Sequence, residues 1–199
     1  MRIYRYTVGV SLLILFVIFA SGCSSKQTPI EISQTGFLKD YSKLEYTSST
    51  SYRYINPQYK LSGYSKFIVD PVVLHFDSET RTEVGSWEEL QQLKSYMQKT
   101  VINTLEPRYS AVGTIPGPKT ARIRIALTHL KKGSIGNLGS VSMEAELLDS
   151  QTNEQIAAII ELHGKRNRYG GLSKWDDAKA AMDDWAKRLY NRLEEARGY

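Results

Sequence analysis

The chain has 199 residues, enough for one domain with a substantial core, and 41% of them are hydrophobic. It holds a single cysteine, which excludes a disulfide framework and a multi-cysteine metal site. The formal charge of +5 falls to +3 once Arg2 and Arg5 leave with the leader described below, too slight an excess to point to nucleic acid.

Arg2 and Arg5 precede an uncharged apolar run, residues 8–20, and then Ala20-Ser21-Gly22-Cys23. A spanning helix needs about 20 apolar residues, and this run is shorter. A charged front, a short apolar middle and a small-residue exit read as an export signal. The rival reading is an uncleaved helix with an incidental cysteine. The junction looks like a bacterial lipobox, which implies cleavage before Cys23 and lipidation of its thiol. More than one acyl chain is then expected, because one chain binds a membrane only marginally, at roughly 10⁴ M⁻¹. The expected division is a signal peptide over 1–22 and a lipidated, polar tether over 23–35. Ser24 rather than aspartate follows the cysteine. In enterobacteria-like lipoproteins that pattern implies an outer-membrane anchor facing the periplasm.

Residues 36–63 form a tyrosine-rich segment read as irregular and packed on the domain, with Asn56-Pro57 as a turn. Its rings fasten the loop or stack on sugars. An α+β domain is expected over 64–199. Residues 66–76 read as its first strand, with Pro71 marking a bulge or an end. Ser86 and Glu89 announce a capped helix whose stripe is Leu90, Leu93, Met97, Val101 and Leu105, stopped by Pro107. Residues 109–115 read as a short strand and 116–118 as a rigid turn.

Three alternating strands follow, over 121–130, 141–148 and 155–163, joined by a Gly-rich loop and a hairpin at 149–153. Ile123, Ile125, Leu127, Val141, Met143, Ala145, Leu147, Ile156, Ala158, Ile160 and Leu162 should face inward. Arg122, Arg124, Glu144 and Glu146 should lie on a wet face, arginine opposite glutamate. A second helix, capped by Ser173 and Asp176, carries Trp175, Ala178, Met182, Trp185, Leu189, Leu193 and Ala196 on one stripe. Its polar face mixes acids with bases, unlike a membrane-lying helix. Trp185 should therefore be buried against Ile125, Met143 and Ile160. The expected fold is α+β: two helices packed on one face of a mixed, largely antiparallel sheet of four to five strands.

Gly36-Phe-Leu-Lys-Asp-Tyr41, Tyr54-Ile-Asn-Pro57, Val69-Asp-Pro-Val72, Pro116-Gly-Pro118, Met143-Glu-Ala-Glu-Leu-Leu-Asp149 and Trp175-Asp-Asp-Ala178 occur in order. Together, from about Gly36 to Leu193, they resemble an uncharacterised bacterial lipoprotein family, a domain of unknown function of the DUF 3313 type. The resemblance implies no activity, substrate or catalytic residue. Asn153 stands where glycine is expected in the hairpin turn, a change that left-handed-tolerant asparagine absorbs. The element order is also similar to small α+β domains of envelope-assembly proteins, such as the Tol propeller protein's amino-terminal domain and the curli-secretion lipoprotein.

Period two sets His129 on the face of Ile125 and Leu127, and His163 on that of Ile159 and Glu161, so no shared metal is expected. Gly133, Gly136 and Gly139 lie between strands without a following Lys-Ser/Thr, unlike a phosphate loop. Asp176-Asp177 and Asp183-Asp184 read as solubilising. No cofactor and no catalytic residue is expected. Lys131 and Lys132 leave one strand, and Lys165, Arg166 and Arg168 leave the parallel third, so the five should gather at one end of the sheet. They are either a solvated edge or an anion site. The function expected is non-enzymatic: binding or scaffolding in envelope maintenance or transport, with a protein partner in the envelope. The alternative is a lipid-anchored envelope hydrolase.

Overall fold

The structure, a computed structural model, describes residues 34–76, 85–110, 113–133, 139–164 and 175–198. The strands are β1 (Glu45–Ser48), β2 (Ser51–Ile55), β3 (Lys66–Val69), β4 (Val73–Leu74), β5 (Thr120–Lys131), β6 (Ser140–Asp149) and β7 (Gln155–Gly164). The helices are α1 (Trp87–Leu105) and α2 (Asp176–Glu195). Among the described residues, no helix is long and apolar enough to cross a membrane.

The strands form one sheet in the order β1-β2-β7-β6-β5-β3, with β4 also on β5. β3 and β4 run parallel to β5 and every other pairing is antiparallel. The class is α+β as expected, but the sheet has seven strands, not four to five. Two of the additions come from the segment read as irregular. β1 and β2 form a hairpin, and β2 joins β7 from Ser51 opposite Glu161 to Ile55 opposite Ala157. Tyr52 and Tyr54 alternate with Ser51, Arg53 and Ile55, a strand period hidden because its apolar members are tyrosines. The other addition is a division: Asp70-Pro71 parts β3 from β4, since proline gives no N–H to the ladder. The expected strand over 109–115 is reduced to one bridge between Lys66 and Ser110, with 111–112 outside the described residues.

α1 starts as its capping box requires: the Ser86 N–H donates to Glu89 Oε2 at 2.7 Å and the Glu89 N–H to Ser86 Oγ at 3.3 Å. It buries Leu90, Leu93, Met97, Val101 and Leu105, the stripe read from its spacing. α2 buries Ala178, Ala181, Met182, Trp185, Ala186 and Leu193 against the same core. Its start differs from expectation. Trp175 occupies the cap position, its side chain making no capping bond to the helix, and Asp176 lies inside the first turn, where a carboxylate suits the helix dipole. Ser173 lies outside the described residues.

Two register shifts alter which side chains meet, because one extra residue flips everything after it. Between β5 and β6 the shift falls at Leu127/His129. Leu130 and Val141 enter the core, while His129 leaves the Ile125–Leu127 face and binds Ser140 Oγ at 2.9 Å. Between β6 and β7 Leu147 opposes Ala157 and Leu148 opposes Gln155, leaving Ile156 extra. Ile156 stays in the helix-side core, but Ala158, Ile160 and Leu162 belong to a separate cluster on the reverse face. Trp185 accordingly shares its core with Ile125 and Met143 but not with Ile160.

The reverse face is not wet. Glu144 and Glu146, expected outward, are only 1% and 3% exposed. Residues 35–44 lie across them: Leu38 is buried with Ala158 and Ile160, flanked by Phe37, Tyr41 and Leu44. Glu144 accepts from the Thr35 N–H at 3.3 Å and from the Tyr41 hydroxyl. Glu146 pairs with Arg124, as expected, and also accepts from the Lys39 N–H at 3.0 Å and Gln155 Nε2 at 2.9 Å. Gly36, at φ +88°, supplies the left-handed turn into this strap. The hairpin's Asn153 takes φ +59°, as the sequence predicts.

Candidate functional site

The helices leave the β2 side of the sheet partly uncovered, and a cleft of about 110 Å³ opens there. Register decides its lining. Arg53 opposes Ile159 and Ile55 opposes Ala157, so these β2 residues share the helix-side face while Tyr52 and Tyr54 turn away. Ala145 opposes Ile159, and the small Ala145 and Ala157 hollow the floor. Trp185, Leu189 and Leu193 of α2 form the wall.

Charge collects at the mouth. Arg188 and Arg192 stand one turn apart on α2 and face Arg53 across the opening. Arg188 Nη2 donates to Glu161 Oε2 at 3.0 Å, and Glu161, 7% exposed, also accepts from Ser51 Oγ at 3.4 Å. Among the described residues, Arg53 and Arg192 form no salt bridge. Burial lowers the Arg192 pKa, the charge of Arg53 lowers it further, and Glu161 opposes the shift. Glu146 also borders the cleft but is committed to Arg124 and Gln155. The mouth thus has cations in excess of their counter-charges.

Residues 33–136 and 131–189 match the model of a family described as a protein of unknown function, DUF3313. The chain belongs to this family. No curated protein matches its sequence. Among solved structures it is similar to the PelC dodecamer from Paraburkholderia phytofirmans, with 11% identity and a TM-score of 0.45 over 74% of this chain and 95% of that one. The protein XCC0632 from Xanthomonas campestris gives 13% identity and a TM-score of 0.43, covering 70% of this chain and 86% of that one. Lipoprotein GNA1162 from Neisseria meningitidis gives 15% identity and a TM-score of 0.34, covering 66% and 99%. Likenesses this slight decide nothing about function.

Of the residues singled out in the sequence of this DUF3313 member, Cys23, Lys165, Arg166 and Arg168 lie outside the described residues. Lys131 ends β5 opposite Ser140, which in turn opposes Gly164, so β5 and β7 do exit at one end of the sheet. Lys132 is engaged: its Nζ lies 2.7 Å from Glu89 Oε2 and 5.7 Å from the Trp175 ring centre. It ties the end of β5 to the start of α1. Its hydrogen bond, followed by that of the Ser86 N–H, holds the Glu89 pKa down at about 2, from an ordinary 4.5. A depressed carboxylate pKa stabilises the fold above the unfolded value and loses that contribution as pH falls. The stability difference between wild type and Glu89→Gln should therefore shrink as pH drops from 4.5 toward about 2, followed by urea melts.

His75 Nε2 contacts the Thr35 carbonyl at 2.9 Å. Among the described residues, no three histidine, cysteine, aspartate or glutamate side chains are grouped to hold a metal. Asp177 and Asp183 do more than solubilise: Asp177 Oδ2 accepts from the Gly139 N–H at 3.3 Å, and Asp183 accepts from the Tyr96 hydroxyl at 2.9 Å, tying α2 to α1. The cleft arginines were not among the residues singled out. Their signal was the pairing of Arg188 and Arg192 at one-turn spacing beside Leu189, on the edge of the apolar stripe.

Proposed function

We propose that this chain is a lipid-anchored, non-enzymatic binding protein of the cell envelope, held at the outer membrane facing the periplasm, with the arginine-rimmed cleft as its ligand site. The cleft carries the reading. An apolar hollow with a few converging charged groups is the usual make-up of a ligand site. Its described lining contains arginine and glutamate but no serine, cysteine, histidine, lysine or aspartate, a set suited to holding an anion. The anchor rests on the junction at Cys23. Residues 24–33 would let the domain stand up to roughly 35 Å from the membrane when fully extended, within reach of an envelope partner.

Intact-mass analysis of the membrane-extracted protein tests the anchor. The expected species is a chain beginning at an acylated Cys23, and Cys23→Ser should be released from the membrane or retained uncleaved. A cleaved, stably membrane-bound protein with unmodified Cys23 would overturn the reading.

A further inference from the structure

We infer that the cleft takes a fatty carboxylate: a single acyl chain entering over the alanine floor, with its anionic head between Arg53 and Arg192. The inference rests on the reading of the cleft as a ligand site and adds the class of ligand.

Charge is the first argument. Arg188 is already matched by Glu161, whereas Arg53 and Arg192 face the same opening with no salt bridge among the described residues. A guanidinium presents paired donors that fit a carboxylate. An anion seated there would offset the mutual repulsion of these cations, whereas a neutral or cationic head would leave it in place.

The second argument is what the floor lacks. β7 is paired on both sides, by β2 and β6, and β6 by β5 and β7, so their ladders are engaged. The wall is helix, whose interior backbone groups are satisfied within α2. A peptide laid along the floor would bury its own amides against alanine, isoleucine, leucine and methionine side chains that cannot bond them, at substantial cost. A hydrocarbon chain has no such groups.

Size is the third. An apolar cavity of about 150 Å³ holds a benzene ring, and this one measures about 110 Å³. It therefore houses the end of one chain, while the remainder follows the open side past Ile55, itself 43% exposed. The hollow itself has room for one chain end and not two.

The test titrates the mature, lipid-anchored chain in nanodiscs, with empty discs subtracted, against octanoate, octanol and acetate. The readout is tryptophan emission, to which Trp185 in the wall contributes. Octanoate alone should give a saturable change, weakened by added salt. Arg192→Gln should weaken it about tenfold or more, the loss of a charge-assisted contact. Ala157→Leu, which fills the floor and leaves every charge in place, should abolish it. Thermal melts of both variants establish that they are folded. If octanol saturates as octanoate does, or if Arg192→Gln binds octanoate unchanged, the cleft is a ligand site but the anionic head is wrong. If acetate matches octanoate, the acyl chain is wrong. If none of the three binds, the cleft is not a ligand site and both readings fall.

Discussion

Trp185→Ala should lower the unfolding free energy by about 3–5 kcal/mol, the range for an aromatic removed from a core. Trp185 is 4% exposed and shares its cluster with Ile125, Met143 and Met182. It also stands in the wall of the cleft. Truncation would merge a new void with that existing hollow, so the neighbours have little to collapse onto, and the full transfer and cavity terms apply. Denaturant melts measure the loss. A change below about 1 kcal/mol would mean that α2 is peripheral to the fold, at odds with the clustering seen.

Tyr41→Phe should cost about 1–3 kcal/mol, the penalty for leaving a buried polar group short of its partner. Glu144 is 1% exposed, and its hydrogen bonds among the described residues come from the Tyr41 hydroxyl and the Thr35 N–H. Burial, and then the neighbouring Glu144, raises the Tyr41 pKa, so the phenol stays protonated and donating through the neutral range. The same hydroxyl accepts from the Gly36 and Leu38 N–H groups at 2.9 and 3.1 Å, which makes it the knot of the strap. Its loss should speed hydrogen exchange in residues 35–41. Combining it with Glu144→Leu removes the orphaned carboxylate but leaves the Thr35, Gly36 and Leu38 N–H groups without these acceptors, so the double variant should recover only part of the loss at best. Unchanged stability in Tyr41→Phe, or unchanged exchange in residues 35–41, would contradict this account of the strap.

The sequence was most legible where one face of an element alone is buried. The stripe of α1 follows from its spacing because the residues opposite it, such as Glu88, Gln92, Ser95 and Lys99, are exposed. The three long strands were visible although both their faces are covered, because charged residues still alternate with apolar ones along β5 and β6, and Arg124 does meet Glu146. Period two failed at the register shifts near Thr128 and Ile156. An extra residue leaves no mark in the hydrophobic pattern when its neighbours are also apolar, as in Ile156-Ala-Ala-Ile-Ile160. It also failed for Glu144 and Glu146, whose charges read as solvated. What buries them is the strap around Leu38, a hundred residues earlier, and alternation within one strand does not report a cover supplied from elsewhere. The hairpin of β1 and β2 was missed because β1 is exposed throughout and its composition is that of a loop. With β2 absent from the expected sheet, Arg53 had no face, and the cleft it borders was invisible.

The central claim is that the arginine-rimmed cleft holds an acyl anion while the chain is anchored by its lipid. Native mass spectrometry of the protein released gently from its own membrane tests this most directly. The account predicts the acylated mature chain carrying a non-covalent single-chain acid, and the same chain without it in Ala157→Leu. A wild-type protein that arrives bare, or an adduct that persists undiminished in Ala157→Leu, would contradict it.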